Sequence, residues 1–477
     1  MKLKLGIVAA VSALLSGCAL SIVNPATSPT LIGPPTNPQV GRWATSLTQS
    51  PVLRWEAPKS PGSSELDHYE IALGSSVGTS NILPWTSVGT SLFVQVPNLK
   101  FVAGSSYVMN IRSVDKTGAI STTVSSSPWN VLPSLASAFS ANTDYVGNAN
   151  PRYAELVDLN ADGRLDIVAG YSAASVYLNN GDGTFQPKVD YATAGNNQEA
   201  VVADFNHDGI KDIAVATYNG APTVFSVYFG NGAGGFSVPR SDYSATGTIT
   251  SLAAGDFNGD GFIDIIATDY INNFVEVFLN RGDGTFLTGV SYATGMSPKK
   301  VIVGDFNHDG FEDLAVTNLA GNSVSILTGR GDGTFQPKVD YAVDAGPYGI
   351  AAADFNHDGI LDLAVGNYTA NTISVLYGNR DGTFQPANLV AIAGNPYSLY
   401  AADLNGDGQV DLLTANYSTS SVGILLGNAD GSFQPMQTLN SGLNPFRLAI
   451  GDLNGDGIPD IVSANRGTNT LSVFLGQ

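Results

Sequence analysis

The sequence predicts an all-β protein: a seven-bladed β-propeller with an acidic loop between strands 1 and 2 of each blade, preceded by a β-sandwich. Three observations predict it. A nine-residue acidic motif recurs seven times, at intervals of 46, 52, 49, 49, 49 and 49 residues. Between the motifs lie short alternating segments bounded by Gly, Asn and Asp, the pattern of strands and tight turns. Of 477 residues only 13% are charged while 54 are glycine, a composition of many turns rather than of amphipathic helices.

The first residues read as an export signal, residues 1–17. Lys2 and Lys4 form a basic start, and the apolar run "LGIVAAVSALL" is too short to anchor across a bilayer. The run ends in "LSGC", Leu15 to Cys18, which resembles the bacterial lipobox. That resemblance implies cleavage before Cys18, a lipid on its sulfur, and a place in the cell envelope or at the cell surface. Ala19 rather than Asp after it points to the outer membrane if the cell is Gram-negative. The plainer reading is an ordinary signal peptide with an incidental cysteine. Cys18 is the single cysteine, so no internal disulfide can form. Residues 18–33, rich in Ser, Thr and Pro, read as a tether.

Residues 34–133 change character. "PVLRW", "HYEIALG", "LFVQVP" and "YVMNIRSV" alternate between Gly, Ser and Pro turns, the spacing of a β-sandwich. Trp55, Tyr69 and the pair Leu99 and Tyr107 resemble the strand-B tryptophan, strand-C tyrosine and tyrosine corner of the fibronectin type III family. These aromatics read as core, and the domain as a spacer.

Residues 134–477 read as one repeat array. Each unit carries the acidic motif, an alternating segment such as "SVSILTG", a turn such as "GDGTF", and a segment such as "QPKVDYA", giving four short strands per unit. The last unit stops one strand short, after "LSVFLG", while "AFSANTDYVGN" before the first motif aligns with the fourth segment of its neighbours. Pairing the two ends closes a ring and removes open edges. An open solenoid of seven units is the alternative, and it gives no reason for complementary ends.

In each motif, positions 1, 3 and 5 set carboxylate and amide oxygens on one side of a tight loop. Glycine at position 6 permits the turn, the carbonyl of position 7 can point inward, and position 9 closes the set. The residues are Asp158, Asn160, Asp162, Arg164 and Asp166; Asp204, Asn206, Asp208, Ile210 and Asp212; Asp256, Asn258, Asp260, Phe262 and Asp264; and Asp305, Asn307, Asp309, Phe311 and Asp313. The later copies are Asp354, Asn356, Asp358, Ile360 and Asp362; Asp403, Asn405, Asp407, Gln409 and Asp411; and Asp452, Asn454, Asp456, Ile458 and Asp460. Five or more hard oxygens suit Ca²⁺ rather than zinc or copper. The start resembles an EF-hand, but position 12 of the second copy is Val215 rather than Glu, and both flanks read as strands. The motif is similar to the calcium loop of FG-GAP or VCBS repeat propellers, such as the integrin α-chain head. The resemblance implies up to seven structural calcium ions.

Charge bears on this directly. Positions 1, 5 and 9 of the loops hold 21 of the 41 acidic residues, and without a cation three carboxylates in one turn repel one another. The competing view is seven polar turns held by Asx hydrogen bonds. A net charge of -20 speaks against nucleic acid or an anionic bilayer as charge-driven partner, so contact with the membrane is expected only through the N-terminal lipid.

A catalytic set is hard to find. His68 falls in the sandwich, and His207, His308 and His357 occupy position 4 of acidic loops. There is no phosphate loop. Glu155, Glu199, Asp269 and Glu276 could supply a glycosidase pair, which the sequence alone cannot bring together. The units differ most at the ring end opposite the acidic loops. Six residues before each first Asp stand Arg152, Gln198, Thr250, Lys299, Tyr348, Tyr397 and Phe446. Lys300 and Arg447 follow two of them, and Tyr368, Tyr417 and Arg466 come after second strands. Aromatic and basic side chains there suit a glycan or an extracellular protein, which makes a non-enzymatic binding or adhesion module the leading expectation. A polysaccharide-active hydrolase or lyase is the alternative.

Overall fold

A computed structural model describes residues 138–477 except 219–223 and 246. Before them it describes 66–90 except 79 and 81, 105–125, and the strand backbones at 36–40, 43–44, 52–56, 93–95 and 129–131. All the described elements are strands. Cys18, the expected leader and tether, and Leu99 lie outside the described residues.

Contacts divide the chain into two compact units. In the N-terminal part, Leu66–Gly74 pairs antiparallel with Leu83–Ser87 and with Ser106–Asp115. A separate three-stranded sheet holds Thr36–Val40, Val52–Glu56, which carries Trp55, and Phe93–Gln95. Tyr69 and Tyr107 are buried, as expected of core aromatics.

The C-terminal part is a propeller-like series of four-stranded antiparallel sheets, seven in number. The second is representative: Asn196–Ala203, Asp212–Tyr218, Val224–Tyr228 and Ser241–Ser244 pair in sequence order. Second strands such as Asp313–Asn318 are buried at every residue, because neighbouring sheets cover both faces, so they read as continuous apolar runs. Fourth strands such as Val339–Ala342 are largely exposed. Ion pairs from Lys188 to Asp190, Arg240 to Asp242 and Lys338 to Asp340 put charge on these outer edges, which disfavours pairing with another chain.

The last sheet joins the two ends of the array. Pro445–Gly451, Asp460–Asn465 and Thr470–Phe474 pair in order, and Thr143–Val146 adds as the fourth strand. Each first strand touches the first strand of the next sheet, and Tyr153–Val157 touches Pro445–Gly451, so the series closes on itself. Sheets are latched to one another through the turn after the third strand. Phe286 packs edge-on against Phe205 of the preceding sheet at 5.8 Å, and Phe433 against Phe355 at 5.5 Å. Asn280 Nδ2 donates to the Phe205 carbonyl at 2.8 Å, and Asn179 Nδ2 donates to the Leu453 carbonyl at 2.8 Å, which ties the first sheet to the last.

Candidate functional site

The acidic loops join first to second strands, as expected, and the Gly-Asp-Gly turns lie at the same end: Arg164 Nη1 reaches the Asn180 carbonyl at 3.1 Å. The geometry repeats. In the second loop Asp204 accepts from the Asp208 amide at 3.1 Å and the Gly209 amide at 2.8 Å, while Asp208 accepts from the Ile210 amide at 2.8 Å. Such a turn needs a left-handed backbone at two positions, met by His207 (φ 60) and Gly209 (φ 84). That is a structural role for position 4, shared by His308 and His357.

The ninth residue does something the sequence did not reveal. Asp212 is buried, with one oxygen accepting from the Phe205 amide at 2.9 Å and the other from the Gly230 amide at 2.8 Å. The same two bonds recur at Asp166, Asp264, Asp313, Asp362, Asp411 and Asp460. Each ninth aspartate therefore braces its loop against the turn after its own third strand. Burial, and then the other carboxylates of the loop, push Asp264 up to about 6 and Asp460 to about 7. Among the described residues no three His, Cys, Asp or Glu side chains converge as a metal-holding group. Positions 1, 3, 5 and 7 still offer only oxygen donors on one short loop, which fits a hard cation by donor chemistry.

At the opposite end the predicted aromatics come together. Tyr348 and Tyr397 have ring centroids 3.9 Å apart, and Tyr397 and Phe446 3.7 Å apart. The Tyr348 and Tyr397 hydroxyls are hydrogen-bonded. Tyr368 lies 5.8 Å from Tyr397 and 6.3 Å from Tyr417, and Arg466 Nη1 reaches the Tyr417 hydroxyl at 3.5 Å. Cations flank this run: Lys299 Nζ sits 5.1 Å from the Tyr348 ring and 4.3 Å from Tyr270, while the Arg152 guanidinium sits 5.4 Å from Phe446 and 4.5 Å from Tyr171. Arg152, expected at this end, and Tyr171 and Tyr270 thus border the same surface.

Two expected members of that surface point elsewhere. Lys300 and Arg447 each follow a mouth residue, and strand alternation turns them inward. Both pair with the same oxygen of buried Glu199, Arg447 Nη1 at 2.9 Å. Phe446 is only 4% exposed, so it supports the aromatic surface more than it presents one. Burial works against the charge of Glu199, but Arg447 and Lys300 outweigh it and hold the carboxyl below its usual range. Glu155 joins this cluster from the first sheet. Burial, with Glu199 nearby, pushes its carboxyl up to about 7 despite the two cations. Tyr400 is raised to about 12, chiefly by burial. Of the four carboxylates considered for a pair, Glu155 and Glu199 therefore share one buried cluster, while Asp269 caps a turn at Ile271 and Asn272.

The family model described as FG-GAP-like repeat matches six overlapping stretches, residues 158–215, 204–267, 256–316, 305–365, 354–414 and 403–463. Each begins on the first aspartate of an acidic loop, and the sixth also covers the seventh loop. No curated protein matches the chain. Among solved structures, a functionally unknown protein from Desulfotomaculum acetoxidans is 14% identical, with 70% of this chain and 96% of that one covered and a TM-score of 0.41. The periplasmic gluconolactonase of Pseudomonas aeruginosa is 15% identical over 79% of this chain and 97% of its own, with a TM-score of 0.48. A protein from Lactobacillus plantarum is 14% identical over 80% and 98%, with a TM-score of 0.44.

Proposed function

Because the chain belongs to the FG-GAP-like repeat family, we propose that its repeats form one seven-bladed propeller that binds a glycan or an extracellular protein without turning it over. The observation that carries this reading is the continuous run of Tyr348, Tyr397 and Phe446 with Tyr368 and Tyr417 beside it. Aromatic surfaces of this kind give large contact area with polar handles, the common make-up of binding hot spots. The propeller spans residues 134–477 in this reading, residues 34–133 are a fibronectin type III-like spacer, and Cys18 carries a lipid that holds the chain in the envelope.

Calcium in the acidic loops would serve stability. Asp204, Asn206, Asp208 and the Ile210 carbonyl would hold it in the second loop, with their counterparts elsewhere, and Asp212 would fix the loop behind them. The bound ion would supply the charge that three neighbouring carboxylates lack.

A second reading, a carbohydrate-active enzyme, is favoured by Glu155 and Glu199. They occupy one cluster with opposite shifts, the condition for an acid beside an ionised carboxylate. Probing arrays of glycans and extracellular proteins with the calcium-loaded chain, followed by a turnover assay on every binder, separates the two. Binding without product supports the module. Product that disappears in Glu155→Gln supports the enzyme.

A further inference from the structure

The seven equivalent positions at the ring mouth fall into two sectors. Tyr348, Tyr397 and Phe446 are consecutive around the ring and aromatic. Continuing around it come Arg152, Gln198, Thr250 and Lys299, which are polar or cationic. Arg152 Nη1 donates to Gln198 Oε1 at 2.5 Å, and Thr250 donates its hydroxyl to the Pro298 carbonyl at 3.0 Å, so this sector is built rather than loose.

The electrostatics of the polar sector are incomplete. Among the described residues neither Arg152 nor Lys299 is ion-paired with a carboxylate, although the chain carries a net charge of -20. The Arg152 Nε is buried and has no hydrogen-bond partner. Lys299 is lowered to about 8, by burial and then by the charge of Arg152, so the two cations are near enough to repel. Glu199 pairs through one oxygen with Lys300 and Arg447, and neither Arg152 nor Lys299 pairs with it. Two half-buried cations on aromatic faces at the two ends of the Tyr348, Tyr397 and Phe446 run, with no paired carboxylate among the described residues, form an arrangement that an incoming anion would stabilise.

We propose that the mouth is a subsite for a carboxylate-bearing sugar, whose acid group sits between Arg152 and Lys299 and whose pyranose ring lies on Tyr348 and Tyr397. This rests on the reading of the mouth as the binding face and deepens it by naming the charge of the ligand. A sugar fits better than an acidic peptide because the aromatic sector offers both ring faces and phenol hydroxyls, the Tyr348 and Tyr397 pair among them, which can exchange partners with sugar hydroxyls. A neutral sugar would leave the cations as they are.

The test is calorimetric titration of the full chain with galacturonate oligomers, neutral galactose oligomers of equal length, and poly-glutamate, at low and high salt. The uronate should bind at least tenfold more tightly than its neutral counterpart, and salt should narrow the gap. Lys299→Met with Arg152→Met should abolish that preference, Lys299→Arg should keep most of it, and unchanged melting curves would show that the variants fold. Equal binding of acidic and neutral sugars, lost in Tyr397→Ala, overturns the charge assignment and leaves the binding face standing. Uronate binding that survives both the cation and the Tyr397 variants overturns the face itself. Binding of poly-glutamate alone overturns the sugar class, and no binding by any probe overturns the subsite.

Discussion

Ser472 donates its hydroxyl to Asp144 at 2.6 Å across 328 residues of chain. The same bond runs from Ser175 to Asp190, from Ser226 to Asp242 and from Ser325 to Asp340, each between the third and fourth strands of one sheet. Thr143–Val146 is therefore tied to its third strand as the other fourth strands are, although it precedes the array in the sequence. Asp144→Ala should cost about as much as Asp340→Ala, on the order of 1 kcal/mol for one hydrogen bond at an exposed edge. Deleting 143–146 should do far more, since it bares Thr470–Phe474 along its length. Urea unfolding should show the loss, and size-exclusion chromatography should show self-association through the open edge.

Calcium should raise the melting temperature, because in the proposed reading the loops would hold it in the folded chain and poorly in the unfolded one. At ~100 times the dissociation constant one site adds ~2.7 kcal/mol, and several sites act together. Melting curves with and without excess chelator test this, and identical curves would remove calcium from the account. Asp208→Ala should blunt the chelator effect at one loop only. Asp212→Ala should behave differently. It leaves the buried amides of Phe205 and Gly230 without acceptors, so it should cost roughly 2–4 kcal/mol even in chelator.

The repeat, its strands and its closure were legible because each depends on local pattern: turn residues at fixed offsets, alternation, and a missing segment at one end that is present at the other. The second duty of the ninth aspartate was not legible, since a carboxylate that could ligate a metal and one that braces a turn are the same letter. Neither was the buried cluster around Glu199. Glu199 and Lys300 are 101 residues apart, and Lys300 and Arg447 read as neighbours of Lys299 and Phe446 on one surface. Strand alternation sends each pair to different places, and only the packing of first strands from different sheets brings Glu155, Glu199, Lys300 and Arg447 into one cluster.

Glu155 gives that cluster a pH signature. Its carboxyl titrates at about 7 in the folded protein against an ordinary 4.5. Between those values the folded chain keeps a proton that the unfolded chain has lost, so stability falls as pH rises through this window and levels off above it. The shift corresponds to roughly 3 kcal/mol at most. Glu155→Gln removes it. The variant should match the wild type near pH 4.5 and exceed it above pH 7, with Glu199, Lys300 and Arg447 unchanged. Denaturant midpoints measured for both proteins from pH 4.5 to 8 would show the difference. Parallel curves would mean that the nearby cations keep Glu155 ionised throughout.

Tyr397 stands between Tyr348 and Phe446 and touches both rings, with Tyr368 and Tyr417 edging it from the adjoining turns. Removing it opens the middle of the aromatic surface, whereas removing Tyr417 trims a border. Tyr397→Ala should therefore weaken the binding of any array-identified ligand by about 2 kcal/mol or more, and Tyr417→Ala by less. Tyr348→Ala should fall between them, since it also frees Lys299 from one ring. None of the three should alter the response of melting to calcium, because the acidic loops lie at the other end of every sheet. Thr285→Ala, in a turn at that far end, serves as the matching control: it should lose only its local bond to Asp283 and leave affinity unchanged. If the three tyrosine variants bind as the wild type does and Thr285→Ala does not, the ligand sits at the acidic-loop end.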